Sequence, residues 1–182
     1  MSEIVVQKFG GTSVGTVDRI DSVAEIIKNA SRSNKIVVVV SAMGGETNRL
    51  VDLAKAFGDD PDKREFDALV STGETVSSAL LAMALHSKGV KAKSFSASQI
   101  SMRTTSSYSK AKILDVDAKK ILDVIDSDTI PIITGFQGVT EGGDVTTLGR
   151  GGSDATAVAI AAQIDAVRCD IYTDVDGIFT TD

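Results

Sequence analysis

KIVVVVSAM, residues 35–43, decides how the rest of the chain is read. Its unbroken β-branched run does not alternate with polar residues, which is the pattern of a strand covered on both faces. Such a strand belongs inside a parallel sheet between helices. Outward from it, 3–8 reads as a first short strand. VDRIDSVAEIIKNA (17–30) spaces Val17, Ile20, Val23, Ala24 and Ile27 at helical intervals. Residues 47–57 and 63–89 are helical, with Gly73 expected to interrupt the second stretch. Residues 90–97 are a strand, Ser98 to Ser109 a loop, 117–126 a helix and 129–136 a strand. The Gly-rich stretch 137–152 predicts a hairpin. Residues 153–164 predict a small-residue helix with Ser153 as its N-cap, and 166–174 a last strand. Alternating strands and helices predict an α/β fold, a mainly parallel sheet between helix layers.

The chain has 182 residues, enough for one domain with a real core. It is 42 % hydrophobic and 24 % charged, with a formal net charge of −6. An acidic chain is a poor partner for nucleic acid, which is bound through basic patches. No segment reads as a signal peptide or as a bilayer span. Cys169 is the single cysteine, so no intrachain disulfide forms, and a reducing, cytoplasmic compartment is expected. Cys169 reads as a core residue. His86 is the single histidine and sits near a helix C-terminus, where the dipole favours it. A Ser-His-Asp triad or a His-based zinc site would have to use it, and no His/Cys cluster is present for a metal.

Four polar, Gly-rich segments follow the strands: 8–13, 41–47, 135–154 and 173–177. Parallel strands bring all four to one sheet edge, where α/β folds bind ligands. Lys8 beside Gly10 and Gly11 offers a point charge next to exposed backbone N–H groups. Arg150 stands in GRGGSD (149–154) at a helix start, which suits a carboxylate or phosphate. Glycine is also the default turn residue, and Glu74 and Asp154 are ordinary first-turn acids, so each segment alone permits a purely structural reading. Neither GxxxxGK[ST] nor GxGxxG is present, so neither a P-loop nor a dinucleotide fingerprint applies.

VQKFGGTSVG (6–15), VVVVSAMGGETN (37–48), STGE (71–74), GFQG (135–138) with TTLGRGGSD (146–154), and IYTDVDGIFTTD (171–182) together resemble the aspartate kinase family of the amino-acid kinase superfamily. The motifs stand in the family's order and cover essentially the whole chain. The resemblance implies a three-layer αβα sandwich and ATP-dependent phosphorylation of the β-carboxylate of L-aspartate, at the start of lysine, threonine and methionine synthesis. It implies that Lys8 and Asp154 are catalytic, with Asp154 orienting Lys8. It places Lys8, Phe9, Gly10, Gly11, Thr173, Asp174 and Phe179 along the nucleotide. Around the aspartate it places Ser41, Thr47, Glu74, Phe136, Arg150, Gly151 and Ser153. Glu74 then pairs with the α-ammonium and Arg150 with a carboxylate. Phe179 stands where the family usually has tyrosine. Mg²⁺ enters with ATP, and a homo-oligomer is expected for a full-length parent.

Family members continue past this point with a second ATP-binding lysine and C-terminal ACT regulatory domains. Residues 1–182 therefore read as a catalytic domain incomplete at its C-terminus, short of a final strand and of doubtful activity alone. The alternatives are a non-catalytic remnant that binds aspartate or a partner subunit, or a kinase for acetylglutamate, glutamate or carbamate. Glu74 argues against acetylglutamate and carbamate, which lack a free α-amine.

Overall fold

The computed structural model describes residues 3–173. Its elements run β1 (Ile4–Phe9), α1 (Val17–Ala30), β2 (Lys35–Val40), α2 (Glu46–Lys55), α3 (Lys63–Val70), α4 (Thr72–Ser87), β3 (Ala92–Phe95), β4 (Arg103–Thr104), β5 (Ile113–Asp115), α5 (Ala118–Asp126), β6 (Ile130–Thr134), β7 (Gln137–Val139), β8 (Val145–Thr147), α6 (Gly152–Gln163) and β9 (Arg168–Tyr172). The main sheet has the order β3-β6-β2-β1-β9, and every pairing in it is parallel. β2 is its middle strand, and Val37 to Val40 are fully buried there. A buried Val contributes on the order of 1.5–3 kcal/mol, so solvent exclusion on both faces is what holds this run as a strand.

Strand alternation divides the core in two. Val5, Phe9, Val38 and Val40 pack against Ile20, Ile27, Leu81 and Leu85 of α1 and α4. Val6, Val37 and Val39 pack against Ile121, Ile125, Ala157 and Ile160 of α5 and α6. The result is the expected helix–sheet–helix sandwich. Unforeseen in the sequence is a second, four-stranded sheet of order β5-β4-β7-β8. The β7–β8 hairpin matches its Gly-rich pattern, but β4 lies inside the serine-rich segment expected to be a loop. β4 has only two residues, too few to leave a periodic signal. A hydroxyl pair, Thr104 to Thr146 at 2.6 Å, helps tie β4 to the hairpin.

Two further expectations need correction, and a third needs checking. The break between α3 and α4 falls at Ser71, not at Gly73. Gly73 lies in the first turn of α4, where a Cβ would stand 2.8 Å from Ala42 Cβ. The glycine is there because α4 presses on the β2–α2 loop, not because it breaks a helix. Ser153 is not the cap of α6 but lies within its first turn, and the cap position is Gly151. Finally, the α3–α4 run, Lys63–Ser87, is long and apolar enough to cross a membrane by length and composition alone. Half of its most apolar 18-residue stretch is buried in this fold, with α4 packed on α1 and β3, as in a core helix pair.

The Gly73 contact yields a test. Alanine is the better helix former by about 1 kcal/mol. Its methyl group, however, would overlap one fixed rigidly to the Ala42 backbone, and overpacking costs about 1–3 kcal/mol. Gly73→Ala is therefore expected to lower unfolding stability in urea. Unchanged or higher stability would show that the β2–α2 loop yields freely.

Candidate functional site

The loops after β1, β2 and β6 do meet at one edge of the main sheet, and Thr173, the one described residue beyond β9, joins them there. They enclose a cleft of about 530 Å³. Of the residues singled out in the sequence, Lys8, Gly10, Gly11, Ser41, Thr47, Glu74, Phe136, Arg150, Gly151, Ser153, Asp154 and Thr173 line it. Phe9 does not. Its ring is fully buried in the core and stacks on Tyr172, with centroids 4.5 Å apart. Asp174 and Phe179 lie outside the described residues.

Lys8 projects from β1 toward α6. Its Nζ lies 2.7 Å from Asp154 Oδ1, with the lysine side chain 10 % exposed and the aspartate 47 %. This Oδ1 is buried, and the ammonium is its one polar neighbour among the contacts of the described residues. The ammonium thus sits at the cleft wall with one anchored side and a face turned to the opening.

Helix starts supply the second feature. Away from the cleft, α3 and α5 are capped by Asp62 and Asp117, which accept from Glu65 N–H and Lys120 N–H. α2, α4 and α6 begin at the cleft without a side-chain cap. The caps of α2 and α6 are Gly45 and Gly151, at φ +81° and +72°, in the left-handed region where glycine carries no steric penalty. First-turn N–H groups have no partner within their own helix, so the starts of α2 and α6 turn partial positive charge toward the cleft. Arg150 adds a full charge beside α6. Together these features suit an anionic ligand.

Glu74 is the exception to this positive field. It is 4 % exposed, although its place in a first turn suggested an ordinary solvated acid. Its Oε1 accepts the Ala42 N–H at 3.1 Å. Burial pushes its carboxyl up to about 7, against the lowering effect of the backbone hydrogen bonds it accepts. Among the described residues no cation pairs with this buried carboxyl, so an incoming cation would offset the cost of ionising it. Phe136 closes the wall between β6 and β7. It holds φ +66°, uncommon for a bulky side chain, with its N–H on Thr156 Oγ1 and its carbonyl accepting from Leu148 N–H. Strain held by such ties is a recurring property of ligand clamps.

The raised Glu74 carboxyl makes stability depend on pH. The unfolded chain has the ordinary value of 4.5 and the folded chain about 7. Below the unfolded value both states are protonated and nothing is lost. Between the two values the unfolded state ionises first, so stability falls with rising pH, by about 3 kcal/mol in all, and levels off above 7. Glu74→Gln keeps the acceptor for Ala42 and removes the titration. It should match the wild type at acid pH and exceed it by that margin at pH 8 in denaturant unfolding. A constant difference across pH would contradict the assignment.

Sequence reasoning passed over Asp67, a carboxylate with 0 % exposure behind the cleft wall. Its one sequence signal is spacing, because Asp67 shares the inward face of its helix with Val70.

The fold and cleft define an α/β protein with a cleft suited to a small anionic ligand beyond the carboxyl edge of a parallel sheet. The chain belongs to the amino acid kinase family, whose sequence model matches residues 3–182. It is 56 % identical over 180 residues to the aspartate kinase Ask_LysC of Stutzerimonas stutzeri and 56 % identical over 180 residues to an aspartokinase of Geobacillus stearothermophilus. Each alignment covers 98 % of this chain and 44 % of the relative, so the chain spans less than half the length of these proteins. Among solved structures, E. coli aspartokinase III in complex with aspartate and ADP is similar with a TM-score of 0.89 and 31 % identity. That match covers 99 % of this chain and 51 % of the other.

Proposed function

We propose that this cleft is the catalytic site of an aspartate kinase, transferring the γ-phosphoryl group of ATP to the β-carboxylate of L-aspartate to give 4-phospho-L-aspartate. The observation that carries the reading is the charge pattern of one cleft. A buried carboxyl at Glu74 with no ion-pair partner among the described residues suits an ammonium, while Lys8, Arg150 and the uncapped helix starts suit anions. The likeness to aspartokinases, one of them solved with aspartate and ADP, supports the two ligand classes. A kinase acting on a substrate without a free amine would leave Glu74 unmatched.

In this reading Glu74 holds the α-ammonium and Arg150 a carboxylate. Ser41, Thr47, Phe136, Gly151 and Ser153 surround the remainder of the amino acid. Lys8 and the Gly10–Gly11 backbone meet the phosphates, Asp154 holds Lys8 in place, and Thr173 lies along the nucleotide. The β-carboxylate oxygen attacks the γ-phosphorus, the bond to the β–γ bridging oxygen breaks, and ADP leaves with that electron pair. A carboxylate nucleophile is already ionised, so no general base is needed. Positioning two anions in line and neutralising the transferred group carry the catalysis. Mg²⁺ would enter with the nucleotide, held through its phosphate oxygens and water, and would help neutralise the transferred group. Among the described residues no cluster of three or more His, Cys, Asp or Glu could hold a metal. We place the protein in the cytoplasm, in the biosynthesis of lysine, threonine and methionine, as a homo-oligomer.

The intact protein with ATP, Mg²⁺ and aspartate should release ADP and form a hydroxylamine-trappable acyl phosphate. ADP release without the hydroxamate, or neither product from a folded sample, would reject the reading.

A further inference from the structure

The carboxylate of Asp67 takes no part in the chemistry above, yet it is the most densely bonded side chain behind the cleft wall. Its Oδ2 accepts the backbone N–H groups of Ser109 and Thr147, both at 2.8 Å. Its Oδ1 accepts the hydroxyls of the same two residues, at 3.1 and 2.9 Å. One buried side chain of α3 therefore fastens two distant segments. The two ends of this tie lead to the two proposed aspartate anchors. α3 runs through Ser71 directly into the first turn of α4, which carries Glu74. Thr147 ends β8, just ahead of the loop that carries Arg150. A parallel tie runs from Gln137 Nε2 on β7 to the Ser71 carbonyl.

We infer that Asp67 is a positioning residue that sets the separation between Glu74 and Arg150, and with it the length of the amino acid the cleft accepts. The inference rests on the proposed function, in which those two side chains hold opposite ends of the substrate. The bonding pattern also separates geometry from charge. Asparagine can turn its carbonyl to the two N–H groups and its amide to the two hydroxyls, which then accept instead of donating. All four contacts survive without the negative charge. Alanine keeps none and strands the buried N–H of Thr147.

The test measures kcat, KM for aspartate, KM for ATP, and the aspartate-to-glutamate ratio of kcat/KM in the intact enzyme. Glutamate carries the same end groups one methylene further apart. Asp67→Ala should raise KM for aspartate about 10–100-fold, the cost of a misplacement near 1 Å. It should lower the aspartate-to-glutamate ratio by a similar factor and leave KM for ATP within about twofold. Asp67→Asn should stay close to wild type. If Asp67→Ala does not fold, Ser109→Ala with Thr147→Val removes the two hydroxyls and spares both N–H bonds, and should show the same pattern at about 3–10-fold. An unchanged ratio and aspartate KM in the folded variant, an equal rise in both KM values, or Asp67→Asn as damaged as Asp67→Ala would each overturn the inference. Arg150→Ala separates the two levels. If it leaves aspartate KM unchanged, the functional reading falls and the inference with it. If it raises that KM while Asp67→Ala does not, only the positioning role falls.

Discussion

Lys8→Met in the intact enzyme is expected to lower kcat by about 10²–10³ at saturating ATP and aspartate. That is the usual cost of removing one preorganised charge from the transferring group. Methionine keeps most of the apolar stem of the side chain, which is buried along β1. Asp154 is the partner left behind: its side chain is 47 % exposed, but the Oδ1 that faces Lys8 is buried, so the variant should fold with a loss of stability smaller than the kinetic effect. A kinetic effect larger than the thermodynamic one is therefore the signature of the assigned role. KM values should change less than kcat, because the charge matters most when negative charge on the migrating phosphoryl group must be spread and neutralised. Near-normal kcat in a folded Lys8→Met enzyme would remove Lys8 from the chemistry and reduce its pairing with Asp154 to a structural contact.

Glu74→Ala comes next in size. If the carboxylate pairs with the substrate ammonium, its loss costs about 1.5–3 kcal/mol of transition-state stabilisation, the scale of a charged hydrogen bond. This reads as roughly a 10- to 150-fold fall in kcat/KM for aspartate. Succinate has both carboxylates but no amine, so its kcat/KM should hardly change and discrimination between the two should collapse. The pH profile gives an independent check. The carboxyl of Glu74 in the empty cleft sits at about 7, and only its ionised form attracts an ammonium. Free-enzyme kcat/KM for aspartate should thus fall as pH drops through about 7, approaching tenfold per unit, and that acid limb should disappear in Glu74→Ala. An unchanged aspartate-to-succinate ratio would assign Glu74 to some other contact.

Two kinds of information were legible before any coordinates. The unbroken Val run of β2 announced a doubly covered parallel strand, because burial on both faces acts on every residue and leaves a continuous record in the chain. Parallel order then implied that the segments after β1, β2, β6 and β9 share one edge, and Lys8, Glu74, Arg150 and Asp154 could be singled out from motifs alone. Tertiary packing decided the rest. Nothing local distinguishes a first-turn Glu74 in water from one sealed under Ala42 with its carboxyl near neutrality, since desolvation comes from residues distant in sequence. Gly73 carried the same letter whether it broke a helix or let one approach the β2–α2 loop, and only the 2.8 Å gap to Ala42 tells which. Phe9 stood inside a ligand-binding motif, yet strand alternation turned its ring into the core against Tyr172. Spacing could have marked Asp67 as inward-facing, but not its bonding, because its four donors come from Ser109 and Thr147, 42 and 80 residues away. Periodicity reports which face of an element is buried; what a buried polar group meets there depends on contacts made across the fold.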